Sequence, residues 1–168
     1  MVTHDDAQLE WDDEPSADPK IKKDYEAALG AFLLAFNRMD NTVSDVIVLA
    51  LKKAGREEIP KSIAEEDRFA RKVQNLDLIS LRFPEIASQS LLGELRALGS
   101  ERNNLAHGYF DQNPFGGGYD VVARQRRLEV SVEKIHALAE RAEKAYLQVR
   151  RFEAHFWHED LTTDSNQQ

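Results

Sequence analysis

The 168-residue sequence has no cysteine. Disulfides and thiolate metal sites are thereby excluded, and a reducing compartment fits. No stretch approaches the roughly 18 apolar residues that a membrane helix needs. The start, MVTHDDAQLEWDDEP, lacks both the basic residues and the apolar run of a secretory signal. The expectation is a cytoplasmic protein with no membrane partner, in one domain by its length. No internal repeat is present. Gly116, Gly117 and Gly118 lack the GKS or GKT that completes a phosphate-binding loop.

Basic residues are missing where acids are densest. Residues 1–18 hold seven acids (Asp5, Asp6, Glu10, Asp12, Asp13, Glu14, Asp18) and no Lys or Arg. The last ten residues add Glu159, Asp160 and Asp164. Setting these ten aside takes the net charge from −8 to +2 for residues 19–158. The chain therefore reads as a disordered acidic tail over 1–18, a helical domain over 19–158 and a second disordered tail over 159–168. An acidic tail beside a basic body could also compete with RNA for a basic site.

Ile21, Tyr25, Leu29, Phe32, Phe36, Met39, Val43, Val46 and Ala50 recur at steps of three or four. That period predicts a first helix over about 20–54, stopped by Gly55. At 1.5 Å per residue it would be about 50 Å long. A helix longer than its domain either kinks, here near NRMDN, or overhangs and finds a partner. A second helix is expected over 62–80, capped by Ser62 with Glu65 three residues on. A third is expected over 84–107, with Pro84 in its first turn and a stripe of Leu91, Leu95 and Leu98. Gly93 and Gly99 inside it suggest close approach of a neighbouring backbone. DQNPFGGG reads as a loop, and YDVVARQRRLEVSV as a short hairpin or extended excursion. A last helix is expected over 131–157, burying Ile135, Leu138, Ala142, Tyr146, Val149, Phe152 and Phe156. The fold class is all-α, a bundle with a long first helix and a short hairpin or loop before the last.

The third stripe continues as Leu98, Arg102, Leu105, so an arginine stands where a leucine is due. A buried unpaired guanidinium is very unfavourable. Arg102 needs a carboxylate, an anionic ligand or an edge open to solvent. Asp40 is the candidate carboxylate and Glu26 a weaker one. Asn103 and His107, four apart, share a helix face. Arg102 lies about 140° around the helix from His107, but its long side chain can swing to the same cleft. Gly108 is expected to end the helix in a left-handed cap, with Asn104 helping to cap it. His107 then sits in the last turn, where the helix dipole favours a cation. Two readings follow. Arg102, Asn103 and His107 could bind an anion and move protons at a phosphate, since histidine titrates near neutral pH. Alternatively, Arg102 pairs with Asp40 and His107 is a solvated last-turn side chain.

RNNLAHG, closing a helix in an all-helical domain, resembles the signature of the HEPN superfamily. Ribonuclease members of that superfamily carry Arg, four to six residues, then His, often with a polar residue after the Arg. The matching positions are Arg102, Asn103 and His107, and the resemblance spans roughly residues 20–157. It implies a four- to five-helix up-and-down bundle, usually a homodimer with two motifs meeting at the cleft. It also implies RNA cleavage without a metal or other cofactor, as in toxin–antitoxin or phage-defence systems. In that chemistry a 2′-hydroxyl attacks the adjacent phosphorus and a cyclic phosphate forms. Arg102 would neutralise phosphate charge, His107 would act as general base or acid, and Asn103 would orient the phosphate or the imidazole. An antitoxin or regulatory protein is an implied partner. The resemblance also allows a non-catalytic regulatory or interaction module, similar to the mannitol-operon repressors.

The same spacing recurs at Arg150–His155, and a longer one at Arg151–His158, in an apolar context without Asn or Gly. Those read as ordinary residues of the last helix. His155 and His158 with Glu159 and Asp160 do not make a metal site. Arg124, Arg126 and Arg127 form the densest basic cluster, either an RNA-backbone contact or a solvated hairpin tip. Tyr109 and Phe110 could stack on a base or belong to the core.

Overall fold

The computed structural model describes residues 19–56, 68–112, 119–123 and 126–164. Both the acidic N-terminal tail and the proposed Ser62–Glu65 cap therefore lie outside the described residues.

The first apolar stripe forms α1, Pro19–Lys53, one continuous helix of 35 residues. Pro19 opens it, where a backbone N–H has no helical partner to lose. Gly55 follows it with φ 72°, a conformation that side chains with a Cβ resist. Phe32, Phe36, Met39, Val43, Val46 and Ile47 are fully buried along its inner face.

The helix neither breaks at NRMDN nor overhangs alone, because the last helix matches it. That helix, α4, is Val132–Asp164, 33 residues. It runs past the expected end at 157 and into the expected C-terminal tail. Tyr25 donates its hydroxyl hydrogen to the Val130 carbonyl at 2.5 Å, and Arg38 reaches Glu143 at 2.9 Å. Both contacts join residues 105 positions apart. The first and last helices therefore run parallel and in step along this stretch.

Between them lie two shorter helices. In α2, Phe69–Ser80, Phe69 meets Phe36 and Lys72 meets Asp40, so it advances in the same sense as α1. Pro84 does not open the third helix as expected. It starts a 3-10 turn, Pro84–Ile86, that seats Ile86 in the core. The helix begins later because Ser88 is the better cap: its hydroxyl accepts the Leu91 N–H at 3.2 Å. This helix, α3, covers Gln89–His107. Arg102 lies over Phe36, and Phe110, just beyond its end, packs edge-on against Tyr25. Hence α3 runs antiparallel to α1. Arg141 of α4 clamps Glu94 of α3 with two hydrogen bonds, 2.7 and 3.0 Å.

The excursion before α4 is fuller than a hairpin. Strands β1 (Tyr109–Gln112), β2 (Tyr119–Ala123) and β3 (Arg126–Glu129) form an antiparallel meander in that order. Asp111 and Gln112, expected in a loop, pair with Asp120 and Tyr119. Val121 roots the sheet in the core. The architecture is an all-α bundle carrying this small sheet at one end. No described helix is long and apolar enough to cross a membrane.

Candidate functional site

Gly108 joins α3 to β1, and its backbone explains where the motif ends. Its N–H donates to the Asn104 carbonyl at 2.9 Å, so Asn104 closes the helix through its backbone. The expected left-handed cap is absent: Gly108 has φ −77° and ψ 154°, ordinary extended backbone. Glycine is required there for space. A Cβ would collide with the Val121 side chain and lie 2.6 Å from the Asn104 oxygen. The sheet can thus start two residues after His107, at Tyr109.

The other two glycines of α3 also differ from expectation. Beyond the adjoining backbone of its own helix, a Cβ at Gly93 would meet no described atom within 4 Å. A Cβ at Gly99 would lie 2.8 Å from Phe69 Cδ1, so the close neighbour there is a side chain. That vacancy lets Phe69 pack edge-to-face on Phe36, ring centroids 4.7 Å apart.

Beside this contact, α1, α2 and α3 line a cleft of about 920 Å³. Arg102, Asn103 and His107 all line it, with Asp40 on the α1 side. Arg102 Nη1 donates to Asn103 Oδ1 at 3.2 Å, and Asn103 shares its helix face with His107. Its guanidinium carbon sits 5.9 Å from the Phe36 ring centroid. Arg102 Nε is buried and has no hydrogen-bond partner among the described residues. Asn103 and His107 are exposed at the rim. The arginine that replaces a leucine in the stripe thus lines a cleft of mixed polar and apolar walls.

Asp40 does not pair with Arg102. Its Oδ1 takes Lys72 Nζ at 2.7 Å instead. The reason is burial: Lys72 is 7% exposed, and an enclosed ammonium must have a carboxylate. Glu26, the weaker candidate, lies 3.8 Å from Lys22 on the α1 surface. The second carboxylate of the cleft, Asp77, takes Arg96 at 2.6 Å. Both acids are therefore occupied by cations other than Arg102.

Tyr109 and Phe110 are not among the described residues that line the cleft. Tyr109 is 63% exposed on β1, immediately past the motif. Phe110 is half-buried against Tyr25, a core role. On β3, Arg126 pairs with Ala123 and Arg127 with Val122 across the sheet. Arg124 lies outside the described residues, as do the side chains of His155 and His158. Among the described residues no three His, Asp or Glu side chains converge as metal ligands.

Sequence reading missed what the α2 segment brings: Arg68 at its N-cap, Phe69 and Asp77 in the cleft lining, and Lys72 on Asp40. Lys72 sits next to the apolar position Val73, which was the available signal. A second signal lay in α3 itself. Arg96, Ser100, Asn103 and His107 follow one another at steps of four, three and four, a polar stripe beside the leucine stripe.

No family model, curated protein or solved structure matches the chain.

Proposed function

We propose that the chain is a metal-independent endoribonuclease of toxin or phage-defence type. The observation that carries this reading is the buried, unpartnered Nε of Arg102 beside Asn103 and His107 in one open cleft. An unpaired buried donor is unfavourable by about 1–3 kcal/mol, and a small shift of the guanidinium into the cleft would bring that N–H to a phosphate oxygen that satisfies it. Guanidinium suits phosphate because its fork offers several parallel donors.

In the reaction the 2′-oxygen of RNA bonds to the adjacent phosphorus and the bond to the 5′-oxygen breaks. The products are a cyclic 2′,3′-phosphate and a free 5′-hydroxyl. Arg102 neutralises charge building on the phosphate oxygens. His107 takes the 2′-hydroxyl proton or delivers one to the leaving oxygen. Asn103, already hydrogen-bonded to Arg102, holds the guanidinium toward the phosphate. The proposal includes a homodimer with adjoining clefts, an antitoxin or regulatory protein as partner, and a cytoplasmic location. The length of α1 no longer argues for the dimer, because α4 covers it.

A second reading has its own observation. The His107 side chain makes no hydrogen bond among the described residues, so none fixes the orientation of its imidazole. That favours a non-catalytic module of the same fold, which binds through the cleft without cutting. Purified protein incubated with total RNA in EDTA separates the two. The nuclease should release cyclic-phosphate ends, and His107→Ala should be slower by about 10²–10⁴, the usual share of a general acid or base. Cleavage unchanged in His107→Ala, or abolished by EDTA, refutes the nuclease. Binding without cleavage selects the module. Light scattering should give twice the 19.2 kDa chain mass for the dimer.

A further inference from the structure

Lys72 is a buried cation that the cleavage chemistry does not use. Its ammonium is 2.7 Å from Asp40 Oδ1, with the two side chains 9% and 21% exposed. Asp40 is one helical turn beyond Phe36, on the same face of α1, and the Arg102 guanidinium lies over the Phe36 ring. Asp40 and Arg102 also line the same cleft. A carboxylate so placed would be the natural partner of Arg102 if nothing else held it. Among the described residues Arg102 meets no carboxylate, and its Nε stays unpartnered.

We propose that Lys72 is a positioning residue: by holding Asp40 on α1, it keeps the Arg102 guanidinium open to a phosphate. This rests on the reading of the cleft as a phosphate site. Releasing Asp40 would let it capture Arg102 by an ion pair and close the site from within. The buried Lys72–Asp40 pair then serves binding more than stability, because such pairs are often replaceable by apolar residues.

The test is a mutant cycle read by fluorescence anisotropy. The probe is a labelled 12-residue oligouridylate with 2′-O-methyl groups, which cannot be cleaved. Arg102→Leu should weaken binding by about tenfold or more, the usual effect of losing a hydrogen bond to a charged group. Lys72→Met should weaken it by a similar factor. Lys72→Met added to Arg102→Leu should have no further effect, since the captured group is already gone. Lys72→Met with Asp40→Asn should recover wild-type affinity. A Lys72 that only adds positive field would weaken binding equally with and without Arg102, which overturns the proposal.

If Lys72→Met does not fold, Lys72→Gln replaces it. Folded Lys72→Gln should still bind more weakly than wild type, and unchanged affinity overturns the proposal. The underlying reading fails separately: it is refuted if wild type does not bind the probe, or if Arg102→Leu binds as well as wild type. A Lys72→Met protein that binds normally while Arg102→Leu does not refutes only the role of Lys72.

Discussion

Replacing Arg102 with leucine should make this protein more stable while removing its proposed activity. The magnitude follows from what surrounds the side chain. Leu98 and Leu105 flank it in the α3 stripe and are both buried. The substitution removes a buried donor without a partner, worth about 1–3 kcal/mol. It adds part of the roughly 1.5–3 kcal/mol of a fully buried leucine, because the position is only half-buried. It loses the Asn103 hydrogen bond, about 0.5–1.5 kcal/mol, and the contact with the Phe36 ring, about 0.5–1 kcal/mol. The balance is a gain of about 1–2 kcal/mol, which for a chain of this size raises Tm by about 2–8 °C. No carboxylate is orphaned, since Asp40 stays with Lys72. Urea unfolding and scanning calorimetry on Arg102→Leu and wild type measure the difference. A loss of about 3–5 kcal/mol is what breaking a deeply buried ion pair would give. Any clear destabilisation would refute the account of Arg102 as an unpaired ligand group held against the preference of the fold.

Three further outcomes are expected. Tyr25→Phe removes the hydroxyl bonded to the buried Val130 carbonyl and should lower stability by about 1–3 kcal/mol in urea; a change below about 0.5 kcal/mol would show that water replaces the bond. Gly93→Ala should stabilise by up to about 1 kcal/mol because the space is open, whereas Gly99→Ala pushes on Phe69 and should be less stable than Gly93→Ala in the same assay; equal effects would contradict the packing. The Glu133 carboxyl sits below its ordinary pKa, chiefly through a hydrogen bond from its own backbone N–H and then one from Ser131. A depressed folded pKa adds stability above the unfolded value that fades as pH falls through the folded one, so Glu133→Gln should lower Tm at pH 7 and match wild type near pH 2. A Tm gap that persists at about pH 2 would show that the charge is not responsible.

The sequence made the helices legible wherever a long apolar period ran unbroken, as along α1 and α4. Boundaries were less legible. Pro84 looked like a helix start because proline suits a first turn, but its 3-10 turn serves Ile86, and Ser88 holds the better hydrogen bond. The strand at Tyr109–Gln112 was hidden because its stability comes from pairing with β2, ten residues on, and not from its own composition. At the site, Arg102, Asn103 and His107 stood out because an arginine interrupts a leucine stripe. The partner of Asp40 could not be read. Which cation reaches it depends on how α2 lies against α1, and that is set by Phe69 filling the space over Gly99.

The in-step pairing of the first and last helices has a consequence during synthesis. Tyr25 and Arg38 wait for partners 105 residues later in the chain. At about 5–20 residues per second, ribosomes need roughly 5–20 s to make that intervening stretch. For that interval the apolar stripe of α1 lacks its largest covering surface, and a nascent chain in that state is a substrate for chaperones or for its neighbours on the same polysome. The cleft, which needs α1, α2 and α3 only, is translated before the helix that secures α1. If the protein is a nuclease toxic to its own cell, its walls can meet on the ribosome before the closing helix has been made.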